Sequence, residues 1–388
     1  MQSSMPKDKH KNWLMKMAEE FSVTPWEVQG TIDYEKLIKE FGTQEIDEPL
    51  SRRLENRFGE RHYMLRRRIF YSHRDLNWLL DLHDKGTKFY LYTGRGPSGH
   101  THIGHLLPWI FTKYLQDKFG VNCYFQLTDD EKFLFNHNLS LDDTKKMAYE
   151  NALDFIALGF KPERTRIFLD TEYIKTLYPI ALKVAKRITF STTKAVFGFN
   201  NSNNIGSIFY TSMQAAPCFL EGELKGTRVP CLIPCAIDQD PHFRICRDVA
   251  ESINHYKPAL IHCKMLPSLG GSGKMSASSP DTSIFTTDSP KTAAKKIGSA
   301  FTGGAVSVEE QRKNGGNPDV CAVFSYFHFL FEPDDERLTE IRLNCTSGRT
   351  LCGECKRMLS EKVAGFLETH QERREAAKEH INDFFLRD

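Results

Sequence analysis

The sequence predicts an α/β protein: a doubly wound, mostly parallel sheet with a short helical appendage before it and an α-helical C-terminal domain after it. Three observations predict this. From residue 88 to about 262, short apolar runs alternate with helix-length amphipathic stretches, as parallel strands joined by crossover helices require. Segments rich in chemistry-bearing residues, at 94–105, 126–131 and 236–240, each follow such a run, where an open parallel sheet places its ligands. Beyond about Pro290 only helical periodicity is visible.

Taken in order, residues 1–20 are polar and read as a disordered tail, and residues 21–84 read as short helices with charged faces. Strands are expected at 88–92, 121–127, 166–169, 229–234 and 258–262, with helices at 103–119, 142–158 and 172–187. Pro230 and Pro234 predict irregular ends for the fourth strand. Residues 85–289 form the expected nucleotide-binding domain. Residues 290–388 form a second domain, with helices at 291–299, 308–311, 319–331, 335–343 and about 350–385. In the last helix Leu359, Val363, Phe366 and Leu367 mark an apolar face.

Composition narrows the function. With 40% hydrophobic and 26% charged residues, the 388-residue chain is of ordinary globular make-up. No apolar run is long enough to span a bilayer, and the first ten residues lack the apolar stretch of a secretory signal, so a cytoplasmic protein is expected. The ten cysteines then read as reduced thiols or metal ligands. A net charge of +2 gives no global field for nucleic acid, so any such contact needs a local patch. One candidate lies between Ser51 and Arg74, with eight arginines against Glu55 and Glu60, and Arg66, Arg67 and Arg68 at its centre. Arginine forks suit phosphate. The same run also suits a solvated helix face closed by internal ion pairs.

Two short segments carry the chemistry. Gly94-Arg95-Gly96-Pro97-Ser98-Gly99-His100-Thr101-His102-Ile103-Gly104-His105 joins an expected strand to an expected helix, and such a glycine-rich turn aims backbone N–H groups at phosphate. His100, His102 and His105 add donors, or metal ligands. Lys274-Met275-Ser276-Ala277-Ser278 follows the glycine-rich stretch 270–273 and offers a cation and two hydroxyls that could close over the same phosphates. A P-loop is excluded, because Ser268 and Met275 stand where that motif needs glycine and a hydroxyl residue.

With both segments placed, the chain resembles the class I aminoacyl-tRNA synthetases, whose HIGH and KMSKS signatures match residues His102-Ile103-Gly104-His105 and Lys274 to Ser278. Four further segments look like the tryptophanyl-tRNA synthetases of eukaryotic and archaeal type. They are Ile69-Phe70-Tyr71-Ser72-His73-Arg74-Asp75, Gln126-Leu127-Thr128-Asp129-Asp130-Glu131-Lys132, Gln214-Ala215-Ala216-Pro217 and Ala236-Ile237-Asp238-Gln239-Asp240. Ala277 replaces the second lysine of the signature, as is common in that branch, and Ala236 adds a methyl where the wider class has glycine.

The resemblance implies a Rossmann-like catalytic domain, an anticodon-binding helical domain, and ATP-dependent activation of L-tryptophan followed by transfer to tRNA(Trp), with Mg2+ accompanying ATP and a homodimeric assembly. It also implies catalytic roles for His102, His105, Lys274 and Ser276, and nucleotide contacts from Arg95, Gly104, Ala236, Asp238, Met275 and Ser278. Tyr92, Gln126 and Gln214 would serve the indole edge, with Glu131 and Gln239 at the ammonium end. Arg66, Arg67 and Arg68 would meet the tRNA. Competing readings are a tyrosyl-tRNA synthetase, a small-molecule nucleotidyltransferase, and a tRNA-binding paralogue without catalysis. Cys321, Cys345, Cys352 and Cys355 end in a C-x6-C-x2-C spacing that could bind Zn2+ or an iron–sulfur cluster, and a few bacterial members of the family carry a cluster at similar spacing. Cys321 also suits a buried free thiol within an apolar helix.

Overall fold

The computed structural model describes residues 33–388 except Ser272, together with the backbone of two short paired strands, β1 (Ser22–Val23) and β2 (Val28–Gln29). The tail expected at 1–20 lies outside the described residues. Apolar runs buried on both faces become the centre of a seven-stranded sheet. Its strands are β3 (Gln44–Glu45), β4 (Phe70–Arg74), β5 (Tyr90–Arg95), β6 (Cys123–Leu127), β7 (Thr165–Leu169), β8 (Cys231–Ala236) and β9 (Ala259–Cys263), in spatial order β3-β4-β9-β8-β5-β6-β7. The five strands from β9 to β7 are parallel. From β5 the chain first builds outward through β6 to β7, then returns to place β8 on the other side of β5. The strand order therefore reverses between β5 and β8, and a crevice must open outside their C-terminal ends.

The region expected as a helical appendage differs from expectation. Residues 70–74 form β4, which pairs antiparallel with β9, and β3 pairs antiparallel with β4, so this segment is part of the main sheet. Phe70, Tyr71, Ser72 and His73 are all buried, a strand packed on both faces whose signal the flanking arginines mask. Arg74, at the end of β4, grips Asp240 with two hydrogen bonds of 2.7 and 2.8 Å. Burial pushes the Asp240 carboxyl up, but Arg74 and His262 outweigh it and hold it down at about 2. The antiparallel edge thereby pins the turn after β8.

The helix Ile103–Phe119 begins and ends as expected, capped by Gly120 in left-handed geometry (φ 64°). Other bounds shift. β8 starts at Cys231 and the fourth expected strand runs on to Ala236, while the helix expected over 319–331 becomes Ala322–Tyr326 continued by a π-helical turn, Phe327–Phe331. The helix Cys352–Lys378 packs along Pro290–Gly298 and Leu141–Ala157, sealing Leu359, Val363 and Leu367. It carries His370 and Arg374 to the buried Asp154, and Gln371 donates to the carbonyls of Thr286 and Asp288 at 2.8 and 2.9 Å. After this helix the chain returns to the β7 edge, where the Leu386 N–H donates to Ile167 O at 2.8 Å. Among the described residues, no helix is long and apolar enough to cross a membrane.

Candidate active site

A cavity of about 880 Å3 opens at the crevice between β5 and β8. Every residue that the sequence reading named for nucleotide or tryptophan lines it, including Ala236, Gln239, Met275, Ser276 and Ser278. Contiguous motifs build one end and scattered single residues the other.

At the motif end, close packing explains two glycines. A Cβ on Gly94 would lie 2.8 Å from Gln126 O on β6, and one on Gly96 would lie 2.6 Å from Glu131 Oε2. Arg95 is buried and turned toward the chain itself. Its Nε donates to Asn151 Oδ1 at 2.5 Å and its Nη2 to the carbonyls of Gly99 and His100 at 3.2 Å, so the guanidinium shapes the turn. Burial lowers its pKa to about 10, leaving it charged at neutral pH.

His102 precedes the helix and His105 lies in its first turn, with their rings stacked at 3.5 Å. The His102 backbone N–H donates to His105 Nδ1 at 3.2 Å. An accepting Nδ1 leaves the His105 proton on Nε2, the tautomer that can donate. Burial, followed by the nearby Arg95, pushes both imidazoles well below their usual range, His102 to about 3. Both rings are therefore neutral donors at pH 7. His102 Nδ1 is buried and has no protein partner. A Cβ on Gly104 would stand 3.1 Å from that atom, so glycine keeps the ring seated. Pro108, four residues on, has no N–H to give the Gly104 carbonyl.

The lysine loop is stitched to this turn. The N–H groups of Ile103 and Thr286 donate to Ile284 O and Thr101 O, and His102 bridges Phe285. Ser283 Oγ donates to Ser276 O, and the Ser276 and Ser278 hydroxyls lie 2.9 Å apart. Lys274 Nζ reaches across to Asp238 Oδ2 at 2.8 Å. Asp238 Oδ1 is buried without a partner, so the carboxylate keeps an unused acceptor facing the cavity wall.

The opposite end lies over β5 and β6. Tyr92 donates to Gln126 Oε1 at 2.5 Å and accepts from Gln214 Nε2 at 3.2 Å, while Gln126 Nε2 donates to Asp170 at 2.8 and 3.0 Å. Tyr210 donates to Gln214 Oε1. Glu131 accepts from Thr128 at 2.7 Å and pairs with Lys132 at 2.6 Å. Burial pushes the Glu131 carboxyl up, yet Lys132 and Thr128 prevail and keep it below its usual range, so it is ionised. Asn151, Lys132, Tyr210 and Asp170 were not singled out by sequence reasoning. Only Lys132 carried a signal, as the residue after Glu131.

Residues 84–368 match the family model described as tRNA synthetases class I (W and Y). The chain belongs to that family. The tryptophan–tRNA ligase of Pyrobaculum calidifontis is 53% identical to it over 370 residues, 95% of this chain and 99% of that one. The corresponding ligase of Saccharolobus solfataricus is 51% identical, over 95% of this chain and 96% of its own. Crystal structures agree. Tryptophanyl-tRNA synthetase from Plasmodium falciparum superposes with a TM-score of 0.85 at 42% identity, over 91% of this chain and 97% of that one. The Encephalitozoon cuniculi enzyme bound to tryptophan gives 0.84 at 37% identity, over 92% and 99%. Membership in the class I synthetases brings ATP as the activating substrate, generally with Mg2+.

For a class I synthetase the arginine stretch is less open to RNA than its sequence promised. All eight arginines from Arg52 to Arg74 pair with acids of the same chain. Arg67 is turned inward, bonded to Asp335 and to His328 O and stacked on Tyr63, whereas Arg66 and Arg68 are 41% and 47% exposed. Glu35, Glu48, Asp81 and Asp84 lie just outside the run, and Asp240 and Asp335 far along the chain, so a count within the run missed the pairing.

The four candidate metal cysteines do converge. Cys321, Cys345, Cys352 and Cys355 line one small cavity of about 10 Å3, where Gln311 Nε2 donates to Cys352 Sγ at 3.3 Å. Burial pushes the Cys355 thiol up to about 12. Among the described residues no group of three or more Cys, His, Asp or Glu is arranged to hold a metal ion, so neither the zinc ion nor the iron–sulfur cluster expected there finds support.

Proposed function

We propose that this chain charges tRNA(Trp) with L-tryptophan in the cytoplasm, in two steps at the one cavity. The tryptophan carboxylate attacks the α-phosphorus of ATP, releasing pyrophosphate, and a hydroxyl at the tRNA 3′ end then takes the acyl group from the adenylate, releasing AMP. A carboxylate nucleophile needs no general base, so the site must position and stabilise charge. Neutral His102 and His105 donate to phosphate oxygens, and Lys274 meets charge on the leaving pyrophosphate with Ser276 and Ser278 beside it. Asp238 takes the ribose hydroxyls, which frees Lys274 for phosphate. Gly104 and Ala236 admit the nucleotide close to the backbone, Met275 packs beneath the loop, and Arg95 holds the turn. Mg2+ enters with the triphosphate and offsets its charge.

The observation that carries the reading is the buried amide and phenol network over β5 and β6. A pocket for indole needs apolar walls and one acceptor for the ring N–H. Tyr92 Oη and Gln126 Oε1 can supply it, with Gln214 fixing Tyr92, while Glu131 and Gln239 receive the ammonium. ATP–pyrophosphate exchange with tryptophan and tyrosine in parallel tests this. Exchange with tryptophan alone is expected. Exchange with tyrosine alone would overturn the pocket assignment, and none with either would favour a paralogue without catalysis.

Two further proposals complete the reading. Arg66 and Arg68 contact the tRNA, and residues 290–388 meet its anticodon. The chain is a homodimer: the helix Ile174–Ala185 exposes Ile174, Tyr178 and Leu182 on one stripe, at 39%, 46% and 45%, which a second copy would cover. Sedimentation equilibrium of wild type and Tyr178→Asp tests it, with a monomeric variant expected.

A further inference from the structure

Behind the indole end lies a carboxylate that touches no part of the cavity. Asp170 follows β7, where its N–H donates to Leu127 O at 3.2 Å and its side chain is fully buried. Both its oxygens lie within 3.0 Å of Gln126 Nε2. A carboxylate oxygen facing an amide can only accept, so Asp170 settles which end of the Gln126 amide points at it and which points at Tyr92. The consequence runs on. Tyr210 donates to Gln214, Gln214 to Tyr92, Tyr92 to Gln126, and Gln126 to Asp170. Every donor in this chain of four hydrogen bonds points the same way, toward Asp170.

We infer that Asp170 is a specificity-determining positioning residue, which sets the polarity of the hydrogen-bond chain so that Gln126 and Tyr92 present acceptors to the substrate ring. The inference rests on the tryptophan reading above and deepens it. Asp130 lies near Asp170 on the adjoining helix; burial raises both carboxyls, with Asp130 adding to the rise at Asp170 and Asp129 to that at Asp130. Both shifts favour the protonated form. Gln126 Nε2 brings only hydrogens, so a proton held on Asp170 turns away from it and leaves the Gln126 side as acceptor. An asparagine at 170 could turn its own N–H groups to Gln126. The amide would then flip, and its NH2 would face Tyr92 and the substrate N–H, donor against donor.

The test compares L-tryptophan with β-(benzothienyl)-L-alanine, in which sulfur replaces the indole N–H, by pyrophosphate exchange at saturating ATP. Wild type should prefer tryptophan. Asp170→Asn should raise the tryptophan KM by about tenfold or more with little change for the analogue or for ATP, so the preference collapses. The double exchange Asp170→Asn with Gln126→Glu keeps the charge and restores an acceptor toward the ring, and should recover the preference. An Asp170→Asn enzyme that keeps the wild-type preference, or loses both substrates equally, would overturn the inference. If the single variant does not fold, the double exchange decides: recovered preference supports the inference and absent preference removes it. Wild type without tryptophan-dependent exchange would instead remove the function reading itself.

Discussion

The two ends of the cavity are built in opposite ways. At the nucleotide end, backbone turns do the holding: a glycine-rich turn and the lysine loop are bound to each other by main-chain hydrogen bonds, and Lys274 is partly exposed and paired with Asp238. At the indole end, strand residues from β5 and β6 and the nearby helices are joined by side-chain hydrogen bonds in a buried network. Polyphosphate is large, charged and rearranges during the reaction, so it is met by donors on a loop that can give way. Indole must be told from other rings by a single N–H, so it is met by groups with nowhere else to point. On the proposed reading ATP would undo the Lys274–Asp238 ion pair, since both partners are proposed for the nucleotide.

The largest effect should come from Lys274→Ala. Its contact strengthens as charge develops on the leaving pyrophosphate, and loss of one such interaction costs about 2.7–4 kcal/mol, roughly 100- to 1,000-fold in rate. Single-turnover adenylate formation should slow by that factor, while tryptophan affinity in equilibrium dialysis changes little. Equal losses in both would show that the two ends are not separable.

Gly104→Ala should be next. Its Cβ would stand 3.1 and 3.2 Å from the His102 ring and force the imidazole aside. The KM for ATP should rise by about tenfold and the KM for tryptophan stay within about twofold. Asn151→Ala probes the same end from behind. It strips the buried Arg95 Nε of its partner, at a cost of about 1–3 kcal/mol. Much of that loss should appear as a lowered melting temperature, with a several-fold weaker KM for ATP. An ATP KM left at its wild-type value would mean that Arg95 does not shape the turn.

The same contrast governs what the sequence discloses. His102 to His105 and Lys274 to Ser278 are contiguous, so spacing alone marks them, and strand-turn-helix order places them. Gln126, Gln214 and Tyr92 are ordinary residues on three elements that only the folded sheet brings together, and family resemblance rather than chemistry picked them out. Asp170 and Tyr210 carried no signal at all, because a lone aspartate after a strand and a tyrosine in an apolar helix look like ordinary structure. The β4 strand was hidden by its arginines, whose acid partners Asp335 and Asp240 come from far along the chain. Non-local pairing is what a linear reading misses in both cases.

The smallest effect separates the ends by pH. His102 and His105 are held below the usual imidazole range, His102 at about 3, so between pH 6.5 and their lower folded values the unfolded chain binds more protons. Their contribution to stability is present above pH 6.5 and is lost as pH falls. Asp130 is raised to about 7, so from the unfolded value of 3.8 up to that point the folded chain binds more protons. Its contribution is present at low pH and is lost as pH rises through 7. Urea midpoints across pH 4–8 should therefore respond in opposite senses to two substitutions. His102→Asn should flatten the rise in stability between pH 4 and 6.5, and Asp130→Asn the opposing fall that continues to pH 7, each by at least about 1 kcal/mol. If Asp130→Asn leaves the neutral side unchanged, the carboxyl pair does not hold a proton in the folded protein. The indole end would then carry two buried charges, and the contrast between a network of fixed polarity and a yielding phosphate loop would lose its electrostatic basis.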